Sequence, residues 1–478
     1  MAVVLLIAAL SSTAGAGSRA TTKPNIIVIM TDDQDDMGSL RTMPNVQKLL
    51  AREGIRFTNS FVNVSLCMPS RPTFFTGQSG HNVKAATYAI FAPRESNNLG
   101  VWLRKAGYST AYIGKFMNGY GDTDPTHIVP GWNEWSAVAG PARYYNYDMN
   151  ENGVVKHYGT TNLDYSTTVL RRKALSFLSK QATAAKPFFM VVSAVAPHVA
   201  PGVGGNPIAP IPAPRHIGYF ANLNMPPRPN FNEADVSDKP GFIATLAPLD
   251  ATALYQNTYD FRKRRESLMA VDEMVRDIVQ SLTPAQLTNT YVIITSDNGY
   301  SQGSHRIRGK LVLYEESIRV PLVMRGPGIP ANQVRGQLVT NLDLPATILD
   351  LAGALPGNTL DGRSLVPTFA NAAAPWRTAF YYNASQPLPV YTSKPTGSVL
   401  IRAVRSRRYM YGKLSSVQFG VEEELYDFAV DPYQLVNRAK DPKYAAILGF
   451  HRNLLPGLST CLGPSCWVTA LPPPPPAN

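Results

Sequence analysis

The 478-residue chain has few cysteines and few charged residues. It contains three cysteines, and Asp, Glu, Lys and Arg make up 16% of the sequence. Three cysteines are too few for a small scaffold held together by disulfides. After the N-terminus, no apolar run reaches the roughly 20 residues of a membrane-spanning helix. Acidic residues are the scarcer charged class, 33 against 45 Lys and Arg, so the net charge is +12. This balance favours encounters with polyanions.

The first 20 residues are typical of a secretory signal peptide. An apolar run over residues 1–10 precedes small and hydroxylated residues, and Ala14-Gly15-Ala16 is a suitable cleavage site, although a basic n-region is lacking. We therefore expect a soluble protein that is secreted or held in the cell wall or periplasm, with no membrane span. We expect no nucleic-acid partner, because no nucleic-acid module is recognisable and the basic run at residues 262–265 is predicted to be a solvated helix face. Sulfated polysaccharide fits an exported basic protein better.

The three cysteines divide into a pair and a single residue. Cys461 and Cys466 are separated by four residues in a loop with Gly, Pro and Ser, and we expect them to pair with each other. Cys67 is left over, which in a secreted chain indicates a reactive thiol or a thiol that has been chemically consumed. Asn63 and Asn383 begin glycosylation sequons, and we do not expect Asn63 to be used because it lies so near Cys67.

Alternating apolar patterns predict an α/β fold. Buried parallel strands are predicted at residues 25–30, 109–113, 187–195 and 291–295, and helices at residues 43–53, 99–106, 167–181, 265–281 and 345–351. Polar residues follow each strand at its carboxyl end, the edge at which open α/β sheets bind ligands. The Pro- and Gly-rich stretch 199–229 is predicted to be a long ordered loop beside that edge.

The sequence changes character after a small-residue stretch at 371–375. Short strand candidates at residues 379–382, 399–404 and 408–411 and a helix at 445–454 predict a small antiparallel sheet with one helix. We therefore expect a signal peptide at 1–20, a larger domain at 21–370, an α+β subdomain at 371–458, and a Cys-containing loop with a Pro-rich tail at 459–478.

Oxygen-bearing side chains follow two of the predicted strands. Asp32 and Asp33 come after the first strand, and Asp297 and Asn298 after the last. Carboxylate and amide oxygens without imidazole or thiolate favour Ca²⁺ or Mg²⁺ over Zn²⁺, and Ca²⁺ tolerates an irregular oxygen cage better. Taken alone, each pair is equally well explained as a helix cap or a turn.

The joint pattern is more specific. Residues 65–77, Ser-Leu-Cys-Met-Pro-Ser-Arg-Pro-Thr-Phe-Phe-Thr-Gly, resemble the signature of the sulfatase family, in which the cysteine of Cys-x-Pro-x-Arg is oxidised to Cα-formylglycine. Further motifs occur in sulfatase order at residues 24–33, 114–115, 197–198, 295–300, 309–321, 424–427 and 431–432. The resemblance spans roughly residues 23–365, and residues 114–120 and 131–135 are closest to the N-acetylglucosamine-6-sulfatase branch.

The resemblance implies a fold, a cofactor and a set of roles. The fold would be an alkaline-phosphatase-like large mixed sheet flanked by helices, with the catalytic residues in domain 21–370 and a smaller C-terminal antiparallel sheet. A formylglycine-generating enzyme would be a maturation partner. One Ca²⁺ would be held by Asp32, Asp33, Asp297, Asn298 and an oxygen of the modified Cys67. Of the remaining residues, Arg71 would anchor the modified side chain, Lys115 and Lys310 would bind sulfate oxygens, and His198, with His305 as a second candidate, would protonate the departing alcohol.

The implied chemistry is physically coherent. A sulfate ester resists attack by anions until its charge is neutralised, which a dication and two lysines achieve. One hydroxyl of the formylglycine hydrate would attack sulfur, and the other would then release sulfate by restoring the aldehyde. Two features depart from the family. Many arylsulfatases have His two residues after the lysine, where this chain has Met117 followed by Asn118, which removes one possible acid, and Phe75 replaces the usual Leu.

The leading hypothesis is thus a Ca²⁺- and formylglycine-dependent sulfatase that acts on a sulfated carbohydrate, with small aryl sulfates as surrogates. Two alternatives stay open. One is a phosphate or phosphonate monoester hydrolase of the same superfamily, which would need more positive charge or a second metal, for which no His/Asp set is found. The other is a non-catalytic protein that binds sulfated glycans while Cys67 stays a thiol.

Overall fold

The computed structural model describes residues 23–202, 207–388 and 397–474. The predicted signal peptide and the last residues of the Pro-rich tail lie outside the described residues. The strands are β1 (Asn25–Thr31), β2 (Ile55–Phe57), β3 (Ser60–Phe61), β4 (Ser109–Gly114), β5 (Glu134–Ala139), β6 (Tyr147–Glu151), β7 (Val154–Tyr158), β8 (Phe188–Ser193), β9 (Ala200–Pro201) and β10 (Pro207–Ile208). They continue as β11 (Thr290–Ser296), β12 (Ser301–Gln302), β13 (Arg308–Gly309), β14 (Leu322–Arg325), β15 (Gln333–Arg335), β16 (Val339–Thr340), β17 (Ala379–Leu388), β18 (Gly397–Ser406), β19 (Tyr409–Ser416) and β20 (Gly420–Asp427).

The α-helices lie mostly between the strands of the larger sheet. They are α1 (Pro44–Val46), α2 (Cys67–Thr76), α3 (Gly80–Val83), α4 (Tyr88–Phe91), α5 (Leu99–Lys105), α6 (Ser166–Gln181), α7 (Gly241–Ala244), α8 (Ala251–Ser281), α9 (Pro284–Thr288), α10 (Glu315–Ile318), α11 (Asp343–Ala352), α12 (Val366–Ala370) and α13 (Ala445–Leu458). The predicted helix at 43–53 is instead the short α1 followed by a π-helical turn, Gln47–Ala51. Within the described ranges, no helix is long and apolar enough to cross a membrane.

Ten strands form one mixed sheet in the order β15-β2-β14-β11-β1-β8-β4-β5-β6-β7. The central strand β1 pairs in parallel with β11 and β8, and β8 pairs in parallel with β4. The four predicted parallel strands are therefore confirmed. Their near-continuous apolar sequences suit a sheet that is covered on both faces. Antiparallel pairing of β11 with β14 and of β5 with β6 makes the sheet mixed.

The two faces of β1 belong to two hydrophobic clusters. Ile26 and Val28 pack on one face with an aromatic group that includes Trp132, while Ile27 and Ile29 pack on the other face, where α6 and α8 lie against each other. These four side chains are fully buried. This complete burial fixes the strand's register and therefore the position of the residues that follow it.

Helix α8 begins well before its predicted start at residue 265. Asp250 caps it by accepting a hydrogen bond from the Ala253 amide at 2.8 Å. The prediction that the basic run 262–265 is a solvated face is wrong for Arg264 and Arg265, which are buried. Arg264 donates to the carbonyl oxygens of Pro197, at 3.0 Å, and Asp33, so this charge is compensated by backbone dipoles at the sheet edge.

The C-terminal part contains a four-stranded antiparallel sheet in the order β17-β18-β19-β20, and α13 packs against it. Three of these strands were predicted. The fourth, β20, was missed because its first half is acidic and partly exposed and carries little apolar alternation. Cys461 and Cys466 form the expected disulfide. The predicted domain boundary at residues 370/371 stays a prediction.

The end of β4 requires a glycine. Gly114 has φ +115°, and a Cβ there would lie 2.0 Å from the Ser193 carbonyl oxygen of β8. The missing side chain allows the two strands to approach, and the next residue, Lys115, then leaves the sheet on the carboxyl side.

We predict that Gly114→Ala lowers the free energy of unfolding by about 2 kcal/mol or more, because the methyl group meets backbone and the φ angle is strained. Urea denaturation measures this change. Gly449→Ala in α13 is the matched control, since a Cβ at Gly449 meets no atom within 4 Å and should leave stability unchanged or slightly higher. Equal stability of the two variants would contradict the steric argument.

Candidate active site

Four oxygen-bearing side chains meet where β1 and β11 end. The strands pair in register up to Thr31 and Ser296, so Asp32 and Asp33 emerge beside Asp297 and Asn298. The Asp33 amide donates to Asp297 Oδ1 at 3.2 Å, and Asn298 Nδ2 donates to Asp33 Oδ1 at 2.6 Å. The structure therefore places together the four residues that the sequence named as metal ligands, and all four are buried.

Three oxygens in this group are buried without accepting a hydrogen bond: Asp32 Oδ1, Asp33 Oδ2 and Asn298 Oδ1. An acceptor left in this state costs about 1–3 kcal/mol, more when it is charged. Asp32, Asp297 and Cys67 also offer ligand atoms that lie within 4.8 Å of one another. Buried carboxylate and amide oxygens with free lone pairs fit a hard divalent cation such as Ca²⁺.

Cys67 is the first residue of α2 and its side chain is almost completely buried. Its Sγ lies 3.9 Å from Lys310 Nζ and 3.6 Å from Asn118 Oδ1. Helix α2 is tied to the sheet edge by Ser70, whose hydroxyl donates to the Asp297 carbonyl oxygen at 2.5 Å. The sequence signature thus places its cysteine directly beside the acidic group.

Arg71 lies one helical turn after Cys67 and is fully buried. Its Nε donates to Asp297 Oδ2 at 2.8 Å, its Nη1 to Ser193 Oγ at 2.7 Å, and its Nη2 lies 3.6 Å from Asp32 Oδ2. Burial opposes the positive charge, but Asp297 and Asp32 outweigh it and raise the pKa of Arg71 above its ordinary value. Arg71 therefore stays charged and anchors both the helix and the acids.

Two lysines neutralise the two acids that follow β1. Lys115 pairs with Asp32, and Lys310 pairs with Asp33. Burial opposes ionisation in each case, yet the partners outweigh it, so that the pKa of each lysine is raised and the pKa of each of these aspartates is lowered. Asp297 is different: burial and the nearby Asp32 raise its pKa to about 6, although Arg71 opposes the rise.

His198 faces the acids from the loop after β8. Its Nδ1 donates to the Val199 carbonyl oxygen at 2.7 Å, and its Nε2 lies 3.7 Å from Asp33 Oδ2. Because Nδ1 carries the proton, Nε2 is the position that can accept or deliver a second one. Burial lowers the pKa of His198 despite the opposing effect of Asp33.

His305, the second candidate acid, makes its contacts elsewhere. Its Nδ1 lies 2.6 Å from Glu233 Oε2, Asn230 contacts its Nε2 at 3.4 Å, and its ring packs 4.1 Å from that of Tyr314. It is fully buried. In the described part of the chain, no contact joins it to Cys67 or to the aspartates that follow β1 and β11. A catalytic role for His305 stays a prediction that these contacts do not support.

Two cavities open onto the site and meet at His198, Val199 and Pro207. One, of about 400 Å³, includes Lys115 and Asn118, and the other, of about 500 Å³, includes Asp33 and Lys310. The walls of the first add Met117 and Asp122, and those of the second add Tyr300, Arg308 and Gln386. A substrate can thus reach both lysines, and Val199 and Pro207 of the predicted loop 199–229 line both cavities.

Sequence reasoning missed two residues that support the site. Ser193, the last residue of β8, accepts a hydrogen bond from Arg71, and the rule that polar residues at strand ends face the ligand edge could have identified it. Arg264 binds the Asp33 carbonyl oxygen and lies over the Tyr300 ring at 4.5 Å. No sequence signal separates this arginine from its basic neighbours.

Removing the Arg71 charge tests the electrostatic account. We predict that Arg71→Met lowers the free energy of unfolding by about 3–5 kcal/mol, because Asp297 and Asp32 lose a buried counter-charge. Arg407→Met is the control, since the Arg407 side chain is exposed and its loss should cost less than about 0.5 kcal/mol. Chemical denaturation of both variants measures the difference, and a similar small effect for Arg71 would refute the role assigned to it.

Comparisons with known proteins agree with this geometry. A family model described as Sulfatase matches residues 24–354, and one described as N-sulphoglucosamine sulphohydrolase, C-terminal, matches residues 303–457. The chain is 32% identical to the N-acetylglucosamine-6-sulfatase of Homo sapiens, over 93% of this chain and 86% of that protein.

Solved structures confirm the predicted fold class. One, of a protein in complex with its substrate D-glucosamine-2-N,6-O-disulfate, gives a TM-score of 0.73 at 25% identity and covers 91% of this chain and 97% of that chain. The phosphonate monoester hydrolase of Agrobacterium radiobacter shares the fold alone, with a TM-score of 0.63 at 21% identity over 91% of this chain and 95% of that chain. The α/β fold is alkaline-phosphatase-like, and the chain belongs to the sulfatase family of enzymes, which hydrolyse sulfate esters.

Proposed function

We propose that this sulfatase hydrolyses carbohydrate sulfate monoesters through a formylglycine made from Cys67, with one Ca²⁺ held by the neighbouring acids. One observation carries the proposal: Cys67 Sγ lies 3.9 Å from Lys310 Nζ and beside buried oxygens that have no hydrogen-bond donor. A nucleophile, a cation site and a group that binds anions are thereby assembled at one point.

The cation would be held by Asp32, Asp33, Asp297 and Asn298. When bound, Ca²⁺ supplies positive charge that stabilises the negative charge developing in the transition state. Lys115 and Lys310 now neutralise the acids that would bind the cation. Once those acids had another counter-charge, both ammonium groups would be free to pair with the oxygens of a sulfate ester.

Cys67 lies beside Asn118 of the first cavity and Lys310 of the second, where a nucleophile is needed. In the modified form the aldehyde hydrate would supply a nucleophilic hydroxyl, which a thiol does not. Arg71 fixes the helix that carries this residue, and Asn118 contacts it from the first cavity. His198 Nε2 is placed to deliver a proton to the departing alcohol oxygen, because its Nδ1 is held by the backbone.

The substrate class is proposed from charge and from the relatives. The chain carries a net charge of +12, which attracts polyanions. The human relative is named N-acetylglucosamine-6-sulfatase, and the substrate in the similar solved structure is a glucosamine bearing a 6-O-sulfate. We therefore propose a 6-O-sulfated glucosamine unit as substrate and small aryl sulfates as surrogates.

A phosphate or phosphonate monoester hydrolase is the second candidate. The observation in its favour is the shared fold of the phosphonate monoester hydrolase. Among the described residues, however, both candidate metal-binding groups include Asp32, so they supply one cation site and not two. A doubly charged phosphate would need more positive charge than this site offers, and sulfate is the better fit.

We also propose that the protein is exported and matured by a formylglycine-generating enzyme. The predicted leader at residues 1–20 and the Cys461–Cys466 disulfide support export. Asn63 is buried, so we propose that its sequon stays unmodified in the folded protein, whereas Asn383 is half-buried.

The nucleophile is tested by Cys67→Ala. We predict that the variant folds with unchanged stability to within about 1 kcal/mol, because only one small side chain is shortened, yet releases no sulfate from 4-nitrophenyl sulfate. Sulfate release by ion chromatography and urea denaturation measure the two properties. Turnover retained by the folded variant would assign the reaction to another nucleophile.

The cation site is tested by chelation. We predict that EDTA lowers the melting temperature and that Ca²⁺ restores it, with a stabilisation of about 2.7 kcal/mol at a hundredfold excess over the dissociation constant. Asn298→Ala should abolish the Ca²⁺-dependent shift. Asn257→Ala is the matched control: this buried asparagine donates to the Ala253 carbonyl oxygen in α8, away from the acids, and its variant should melt earlier but keep the shift. An unchanged shift in Asn298→Ala would refute the assignment.

A further inference from the structure

A third cavity continues the active-site cleft away from Cys67. It has a volume of about 540 Å³ and is lined by Gln256, Tyr259 and Lys263. Pro207, Ile208 and Arg308 line both this cavity and the one that contains Asp33 and Lys310. The two spaces therefore form one groove, and a molecule bound at the lysines can extend along it.

One face of α8 carries two tyrosines, and one of them, Tyr259, lines this cavity. Tyr255, Tyr259 and Lys263 recur every four residues and so lie on the same side of the helix. The two tyrosine rings are stacked, 6.4 Å apart with an interplanar angle of 18°, and their exposures are 71% and 41%. Lys263 Nζ lies 5.3 Å from the Tyr259 centroid and is held by Glu266 at 2.8 Å.

Polar side chains connect this aromatic face to the active site. Gln256 Nε2 donates to Asp260 Oδ1 at 2.7 Å, and Arg308 pairs with the other oxygen of the same carboxylate. Arg308 also lines the cavity that contains Lys310. The wall of the groove therefore carries an amide and a guanidinium group that are both oriented by the Asp260 carboxylate.

Single exposed tyrosines are common and need no explanation. A stacked pair of rings beside a cation, one of which, Tyr259, lines a groove that leads to the active site, has the features of a ligand subsite: an apolar ring face, and a few oriented polar groups around it. A pyranose ring has a matching apolar C–H face and a polar rim. Lys263 and Arg308 would suit sulfate or carboxylate groups on that rim.

We propose that Tyr259, with Tyr255 and Lys263, forms a subsite for the sugar adjoining the sulfated one, so that the preferred substrate is an oligosaccharide or polysaccharide chain. This inference rests on the proposed function, because it takes the sulfated sugar to be the one bound at Lys115 and Lys310. It assigns binding, and not catalysis, to the tyrosines.

The test compares substrates of different length. For a tetrasaccharide containing 6-O-sulfated glucosamine, Tyr259→Ala should lower kcat/KM about tenfold, chiefly through KM, the equivalent of about 1.4 kcal/mol. The same variant should stay within twofold of wild type on the 6-O-sulfated monosaccharide and on 4-nitrophenyl sulfate. Tyr259→Phe should keep the tetrasaccharide activity, since the ring remains. Tyr433→Ala, a half-exposed tyrosine outside the groove, is the matched control and should change none of the three.

Equal losses on all three substrates, or no loss on the tetrasaccharide, would overturn the subsite while leaving sulfate hydrolysis intact. A binding measurement distinguishes failure of the subsite from failure of the proposed function. Tetrasaccharide affinity is measured by calorimetry on Cys67→Ala with and without Tyr259→Ala, where no turnover is required. A wild-type protein that hydrolyses none of the substrates would refute the proposed function, and a tenfold loss of affinity on removing Tyr259 would still support the subsite.

Discussion

The structure depends on the mutual compensation of six charges at the carboxyl edge of the sheet, of which five are buried and Lys310 is partly buried. Asp32, Asp33 and Asp297 face Arg71, Lys115 and Lys310. Each of these groups would be costly to bury alone. Their positions follow from the backbone: the register of β1 with β11 sets the acids, the close approach at Gly114 sets Lys115, and helix α2 sets Arg71 beside Cys67. A site with this balance can exchange its internal ion pairs for a bound cation and a bound anion, whose opposite charges partly offset each other.

Much of this arrangement follows from the sequence. Continuous apolar runs identified the central strands because a doubly covered sheet leaves no polar face, and polar residues after those runs identified the acids. Other features had no local signal. The burial of Arg264 depends on the Pro197 carbonyl oxygen and the Tyr300 ring, which come from distant parts of the chain, and Arg265 packs on the Phe261 ring one turn earlier in α8. The acidic residues of β20 give no apolar alternation, and this strand pairs with β19. His305 is the opposite case. It lies close in sequence to the motif at residues 309–321, yet its contacts are with Glu233 and Tyr314.

The cavities beside these charges connect the proposed reaction with the proposed choice of substrate. The two cavities that meet at His198 reach the lysines from different sides, and the groove along α8 extends one of them past Arg308 to exposed rings. The charged centre is built from strand ends and helix α2, whereas the walls come from loops and from a helix face. Under the proposed function, this division would let the sulfate site stay fixed while the walls select the sugar.

The central claim is that Cys67 is converted to an aldehyde at this site, because without that conversion the same charges describe only a pocket that binds anions. Mass spectrometry of the peptide containing Cys67, from protein produced together with a formylglycine-generating enzyme, tests it directly. The account predicts a peptide mass in which CHO has replaced the CH₂SH group of the cysteine. A peptide found only with unmodified cysteine would contradict it.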